Sequence, residues 1–210
     1  MPPKKVVTKQ QIIDTAVEIT RRKGFGAITA RSVASGLGIS THPLFSYYSS
    51  IDELKGDVLI YARGVYHDYI QRGLKEKIPF LGIGRSFLSL ARKEPELFKL
   101  LFMTEPELSG SSAMNEFEKT LDLVIDSIMK IYGMDRFTAS CYYRNLWLMT
   151  LSFATLIVTN DCPFSDEQIS GILTEISLSL CKSYKEIPGF AKGEFDRDKI
   201  FTELVNKTPG

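Results

Sequence analysis

Apolar residues recur every three or four positions along almost the whole chain, and they do not alternate anywhere, so the pattern predicts helices and no strands. The first apolar face is Ile12, Ile13, Ala16, Val17 and Ile19. Thr8-Lys9-Gln10-Gln11 has the form of a capping box that opens it, and Gly24-Phe25 supplies a C-terminal glycine followed by a hydrophobe. Val33, Ala34 and Leu37 share one face of a second helix, which Thr29 can cap. Gly38 stands where two helices joined by a tight turn need a residue free of steric cost, and Ile39 plugs the corner. Ser40 is expected to cap a third helix with Leu44 and Tyr48 facing inward. Ser50-Ile51-Asp52-Glu53 reads as a second capping box, opening a fourth helix with the stripe Leu54, Val58, Tyr61, Val65 and Tyr69. With no proline before Pro79, that helix runs to about Lys75 and spans about 37 Å at the helical rise.

Beyond it the pattern stays helical. Phe80–Lys93 and Pro95–Met103 place Phe87, Leu88, Leu90, Ala91, Leu97, Phe98, Leu101 and Phe102 inward, and Glu105–Ser112 reads as a loop. Met114–Tyr132 carries Phe117, Leu121, Val124, Ile125 and Ile128 at helical spacing and ends at Gly133. Asp135 caps a long apolar helix to about Val158, and Thr159–Phe164 breaks it. Ser165-Asp166-Glu167-Gln168 is a third capping box, before a helix to about Lys185 with the stripe Ile169, Ile172, Leu173, Ile176 and Leu180. A weakly amphipathic piece, Ile200, Phe201, Leu204 and Val205, follows Pro188-Gly189. The expected organisation is all-α: a three-helix helix-turn-helix head at 1–54 with an arm at 1–7, a helical body at 55–188 joined to it by the long helix, and a tail at 189–210.

Composition narrows the function. The chain has 210 residues, 44% of them hydrophobic and 24% charged, which are globular values. Net charge is +1, but residues 1–56 hold eight Lys/Arg against four acids, so this segment carries +4 and the remainder −3. A basic head on an acidic body fits a polyanionic partner for the head alone. Cys141, Cys162 and Cys181 are odd in number and far apart, with no CxxC, which fits a reducing cytoplasm rather than a disulfide framework and offers no zinc spacing. MPPKKVV lacks the apolar core of a signal peptide, and the longest nearly unbroken apolar run, Leu146–Val158, is too short to span a bilayer. His42 and His67 have no Cys or acid spaced to join them as metal ligands. Neither HExxH, GxSxG nor a phosphate loop occurs, and Gly82-Ile83-Gly84 follows no strand, so no catalytic residue, metal or cofactor is expected.

From Ile12 to Leu54 the chain resembles the TetR family of bacterial transcriptional regulators. The residues that carry the likeness are Gly24-Phe25, Thr29, Ala34, Gly38-Ile39-Ser40, Leu44-Phe45-Ser46-Tyr47-Tyr48 and Asp52-Glu53-Leu54, aligned without a gap. Leu90–Phe102 (LARKEPELFKLLF) and the helix of Trp147 are similar to segments of many family members. Three positions depart from the pattern. Phe45 stands where a tyrosine often offers its hydroxyl to DNA, Pro43 replaces a Thr/Ser-type residue, and Ile51 takes the place of a phosphate-contacting lysine, leaving Lys55 one turn later as a substitute.

A helix-turn-helix lays its second helix in the major groove. On that geometry Thr41, His42 and Ser46, after the cap Ser40, approach bases, and Phe45 packs on a thymine methyl. Thr29 and Arg31 at the start of the second helix hold a phosphate, with Lys4 and Lys5 as a basic arm. The resemblance implies that Tyr47 bonds another phosphate. It also implies a body cavity for a largely apolar or aromatic effector, for which Tyr61, Tyr66, Tyr69, Phe87, Phe98, Phe102, Phe117, Tyr143, Arg144 and Trp147 are candidates, with Asn145 and Thr150 as further polar anchors. Trp147–Val158 and Ile169–Leu180 are too apolar for open surface; the resemblance assigns them to a homodimer seam of Trp147, Leu151, Ala154, Val158, Ile169, Ile172, Leu173, Ile176 and Leu180. The expected protein is a non-enzymatic, ligand-responsive repressor that binds a palindromic operator as a dimer and is released by its effector. The alternatives are a DNA-binding repressor controlled by a protein partner, and a helical small-molecule-binding protein or enzyme that has lost operator recognition.

Overall fold

The computed structural model describes residues 7–105 and 112–206, and among them it is all-α, with no strand. Its helices are α1 (Lys9–Lys23), α2 (Ala30–Leu37), α3 (Ile51–Leu74), α4 (Pro79–Lys93), α5 (Pro95–Phe102), α6 (Ala113–Tyr132), α7 (Arg136–Val158), α8 (Asp166–Glu186) and α9 (Arg197–Asn206). Single 3-10 turns occupy Phe25–Ala27, His42–Ser46 and Phe190–Lys192. The chain forms two compact units, Met1–Thr120 with Thr150–Pro163, and Leu121–Met149 with Phe164–Gly210. The Glu105–Ser112 loop falls largely outside the described residues.

Local rules set the boundaries of the head. Thr8 closes a full capping box with Gln11. Thr29 does the same with Ser32. Gly24 ends α1 at φ 82°. Gly38 ends α2 at φ 67°, a left-handed conformation that a side chain would strain. There Ile39 N donates to Ala34 O and Gly38 N to Ser35 O, so two of the last four carbonyls of α2 are satisfied. Ser50 is half a capping box: its hydroxyl accepts from Glu53 N, but the Glu53 carboxylate turns to Ser49 N and Oγ at 2.7 and 2.9 Å. Ile12, Ala16, Val17, Ile28, Val33, Ala34, Leu44, Tyr48, Leu54 and Val58 bury together as the head's core.

One expected element differs in kind. The helix expected after Ser40 forms as the five-residue 3-10 turn His42–Ser46, with Thr41 in the cap position and no side-chain bond from the cap. Leu44 N donates to Thr41 O and Tyr47 N to Leu44 O, the i to i+3 register. Two causes act together. Pro43 disfavours α geometry at His42 and donates no bond, and the segment is too short to repay an α nucleus between a corner at Ile39 and an anchor at Tyr48.

α3 is continuous over 24 residues, about 36 Å at the helical rise. Its buried line is Leu54, Val58, Ala62, Tyr66, Ile70 and Gly73. Tyr61, Val65 and Tyr69, expected inward, lie half-buried on its flank. The line ends where α3 meets α4 backbone to backbone: a Cβ on Gly82 would stand 2.1 Å from Gly73 O, and one on Gly73 would stand 2.6 Å from Gly82 C. Prolines at the first positions of α4 and α5 start both helices with only Glu94 between them.

In the second unit a buried polar set ties helices together. Tyr142 is fully buried; its Oη lies 2.5 Å from Ser177 Oγ and donates to Tyr132 Oη at 3.2 Å. Burial drives the Tyr142 hydroxyl well above the ordinary phenol range. Asn145 Nδ2 donates to Tyr184 Oη at 3.0 Å. α8 opens with the expected Ser165–Gln168 capping box, and Asp135 Oδ1 accepts from Thr138 N at 2.9 Å at the start of α7.

Candidate nucleic-acid interface

The 3-10 turn is a small wedge with one buried side. Leu44 is 1% exposed and Tyr48 3%, and their anchorage turns the intervening side chains outward. Ser40, Thr41, His42 and Ser46 are exposed, and Phe45 and Tyr47 expose 51% and 42% of their surface, large values for aromatic residues. In a 3-10 turn residues three apart eclipse, so His42 and Phe45 form one ridge. The exposed side chains along this edge of the head are therefore those of Ser40, Thr41, His42, Phe45, Ser46 and Tyr47.

The other residues expected at this interface are placed differently. Thr29 is exposed, but its hydroxyl is committed to the cap, accepting from Ser32 N at 3.0 Å. Arg31, two residues on, is exposed. Ser40 is exposed and does not cap the turn, because Thr41 holds the cap position. Tyr47 Oη donates to Val7 O at 2.8 Å, so its one hydrogen is already used and a phosphate bond would require breaking that tie. Lys55 is half-buried, with Nζ 3.7 Å from Asp52 Oδ1 and 5.9 Å from the centre of the Phe25 ring. Lys4 and Lys5 lie outside the described residues. Other basic residues of the head are also paired: Lys9 with Asp57 at 2.9 Å, and Arg21 with Glu94 at 2.7 Å. The positive charge of residues 1–56 is thus partly neutralised locally.

The Arg21 arrangement was not visible in the sequence. Its guanidinium bonds both Glu94 oxygens, Nε at 2.8 Å and Nη2 at 2.7 Å, and also reaches Glu18 at 3.0 Å and Tyr61 Oη at 3.4 Å. A two-pronged pair of this kind fixes direction as well as distance. The Glu94 hydrogen bond is the main reason the guanidinium holds its proton even more tightly than usual. It links α1 to the joint between α4 and α5. A shallow open groove of about 540 Å³ lies between α1 and α2, lined by Asp14, Glu18 and Arg22 on one side and Ser32 and Ser35 on the other.

Of the residues expected to line an effector cavity, the structure gathers four. Tyr66, Phe87, Phe98 and Phe102 meet with ring centroids 4.8 to 6.4 Å apart, mostly edge to face. Phe117 is buried in the same unit. Tyr61 sits beside Arg21, and the Arg72 guanidinium lies 5.0 Å from the centre of the Tyr69 ring. Tyr143 and Trp147 are buried in the second unit. Arg144 is exposed, which removes it as a buried polar anchor, and Asn145 is engaged by Tyr184.

The expected seam also needs correction. Trp147, Ala154, Val158 and Ile169 are between 0% and 5% exposed within a single chain and so are core residues. Leu151, Ile172, Leu173, Ile176 and Leu180 are half-buried. Within Trp147–Val158 and Ile169–Leu180 the exposed large apolar residues are Leu148 on α7 and Leu178 on α8. Among the described residues no group of three or more His, Cys, Asp or Glu could hold a metal ion, and no helix is long and apolar enough to cross a membrane.

No family model matches the chain, and no curated protein matches it. Among solved structures it is similar to a Clostridium perfringens protein described as a "putative fatty acid metabolism regulator", with 16% identity and a TM-score of 0.46 over 82% of this chain and 97% of that one. A likeness of that degree carries no functional argument.

Proposed function

We propose that this chain is a DNA-binding transcriptional regulator, a homodimeric repressor whose head reads an operator through the edge Ser40–Tyr47 and whose helical body answers to a small, largely apolar or aromatic effector. The observation that carries the reading is the pair of open aromatic side chains, Phe45 and Tyr47, on a wedge anchored by buried Leu44 and Tyr48. Two exposed rings two residues apart on an anchored wedge offer a surface suited to cover by a partner. A wedge about 10 Å long at the 3-10 rise is narrow enough for the major groove. Thr41, His42 and Ser46 offer polar contacts to base edges, Phe45 suits a thymine methyl, and the α2 amino terminus beside Arg31 suits a phosphate.

Control by an effector is supported by the course of α3. Its Leu54 and Val58 belong to the head's core, and its Tyr66 belongs to the ring cluster with Phe87, Phe98 and Phe102. A molecule that spreads those rings must move the helix that carries the head, and a coupling of roughly 1–3 kcal/mol is enough for release. Dimerisation is supported by Leu148 and Leu178, which a second copy would cover. Two heads would then address half-sites roughly 34–36 Å apart.

Mobility shift against the promoter region upstream of the chain's own coding sequence tests the reading. Specific binding that weakens steeply with salt supports it. Failure to prefer any fragment over bulk DNA removes it and favours a small-molecule-binding protein whose head no longer reads DNA.

A further inference from the structure

The three residues that leave the 3-10 turn are each tied down. Tyr47 Oη donates to Val7 O at 2.8 Å. Tyr48 Oη donates to Asp57 Oδ2 at 2.9 Å. Ser49 gives both its N–H and its hydroxyl to Glu53. The same Asp57 oxygen receives Lys9 Nζ at 2.9 Å, and that ammonium lies 5.1 Å from the centre of the Tyr48 ring. One carboxylate oxygen thus joins the first residue of α1, the exit of the turn and the second turn of α3.

A phenylalanine at position 48 would fill the same core volume without a polar atom to satisfy. A buried hydroxyl that needs a charged partner is a poor way to gain stability, but it selects one arrangement over its neighbours. We propose that Asp57 is a positioning residue for DNA recognition, holding the open edge Thr41–Tyr47 in the one orientation that reads sequence. This rests on the DNA-binding reading of the head.

The groups facing Asp57 define its state. Lys9 approaches from α1, Tyr48 from the turn, and Glu53 from α3 itself. The Lys9 contact is the main influence holding the Asp57 carboxyl below the usual carboxylate range, while burial and Asp57 push the Tyr48 hydroxyl up. At neutral pH the acceptor is therefore charged, the donor keeps its hydrogen, and the direction of the bond is fixed.

The test uses the full chain with Tyr48→Phe, Asp57→Asn and Lys9→Arg. The probes are a duplex enriched from a random-sequence pool by the unaltered protein and a scrambled duplex of equal composition. Tyr48→Phe and Asp57→Asn are expected to lower the affinity ratio between selected and scrambled duplex about tenfold. Affinity for the scrambled duplex and its salt slope should stay within about twofold, because phosphate contacts set those. Lys9→Arg should keep the ratio, and Tyr48→Phe should melt no lower than the unaltered protein. An unchanged ratio in Tyr48→Phe and Asp57→Asn overturns the proposal while leaving DNA binding intact, as does a proportional loss on both duplexes. If the unaltered protein enriches no duplex at all, the DNA-binding reading itself fails and the positioning role goes with it.

Discussion

Gly82 and Gly73 meet so closely that each occupies the space a methyl group would need, with 2.1 Å between a Cβ on Gly82 and the Gly73 carbonyl oxygen. Because the obstacle is backbone, it cannot swing aside, so Gly82→Ala should destabilise the protein by about 1–3 kcal/mol or more. Urea denaturation followed by circular dichroism checks this, and an unchanged midpoint would contradict the close approach. Arg21 and Glu94 pose a related question in charge. Glu94 is 17% exposed at its side chain, and Glu94→Gln leaves the Arg21 guanidinium with a neutral partner; the expected loss is roughly 1–3 kcal/mol in the same assay. Neither feature was legible in the sequence. Gly82 reads as half of a Gly-x-Gly with no strand before it, and Arg21 and Glu94 are 73 residues apart, so only the fold makes them neighbours. Asp57 is equally silent, since nothing in its local pattern names Tyr48 or Lys9 as its partners.

Helix ends were the most legible elements because their rules are local. Thr8, Thr29, Ser165, Gly24 and Gly38 all do what their neighbours within four residues predict. Thr8→Ala should therefore cost about 1 kcal/mol, measurable as a lower urea midpoint. The third helix differs from its expected form for a physical reason: α and 3-10 turns share the same inward residues, Leu44 and Tyr48, and differ only in hydrogen-bond register. The inward stripe of α3 was displaced because its apolar and aromatic residues lie on two adjacent faces, one seen as Tyr61, Val65 and Tyr69 and the other buried as Ala62, Tyr66 and Ile70. Caps and turn ties also set the response to acid. The carboxyls of Asp57, Glu53 and Asp135 lie below their ordinary values, held down chiefly by the Lys9 hydrogen bond, the Ser49 backbone bond and the Thr138 backbone bond respectively. A carboxyl with a depressed folded value stabilises the fold above its unfolded value and loses that contribution as pH falls through the folded one. Stability should accordingly be flat near neutrality and decline below about pH 4. Asp57→Asn should flatten part of that decline in a pH series of thermal melts.

At the scale of the whole chain, the edge of the head asks for a partner, and so does apolar surface far along the sequence, where Leu178 is 65% exposed on α8. If α8 meets a second copy, Leu178→Glu should convert a dimer to a monomer in sedimentation velocity at micromolar concentration, while leaving the helical circular dichroism spectrum unchanged. A wild-type chain that sediments as a monomer would contradict the dimer. The sequence located that apolar surface only in part, since helical periodicity shows which residues are greasy but not which neighbour covers them: Trp147, Ala154, Val158 and Ile169 are covered within the chain. The claim on which the functional account depends is that the 3-10 edge of the head meets DNA. The most direct measurement is amide chemical-shift mapping of the full chain titrated with its selected duplex. The account predicts the largest perturbations at Thr41, His42, Phe45, Ser46 and Tyr47, with a second group at Ala30 and Arg31. Perturbations that bypass 41–47 and gather elsewhere, or that scatter weakly over all basic residues, would contradict it.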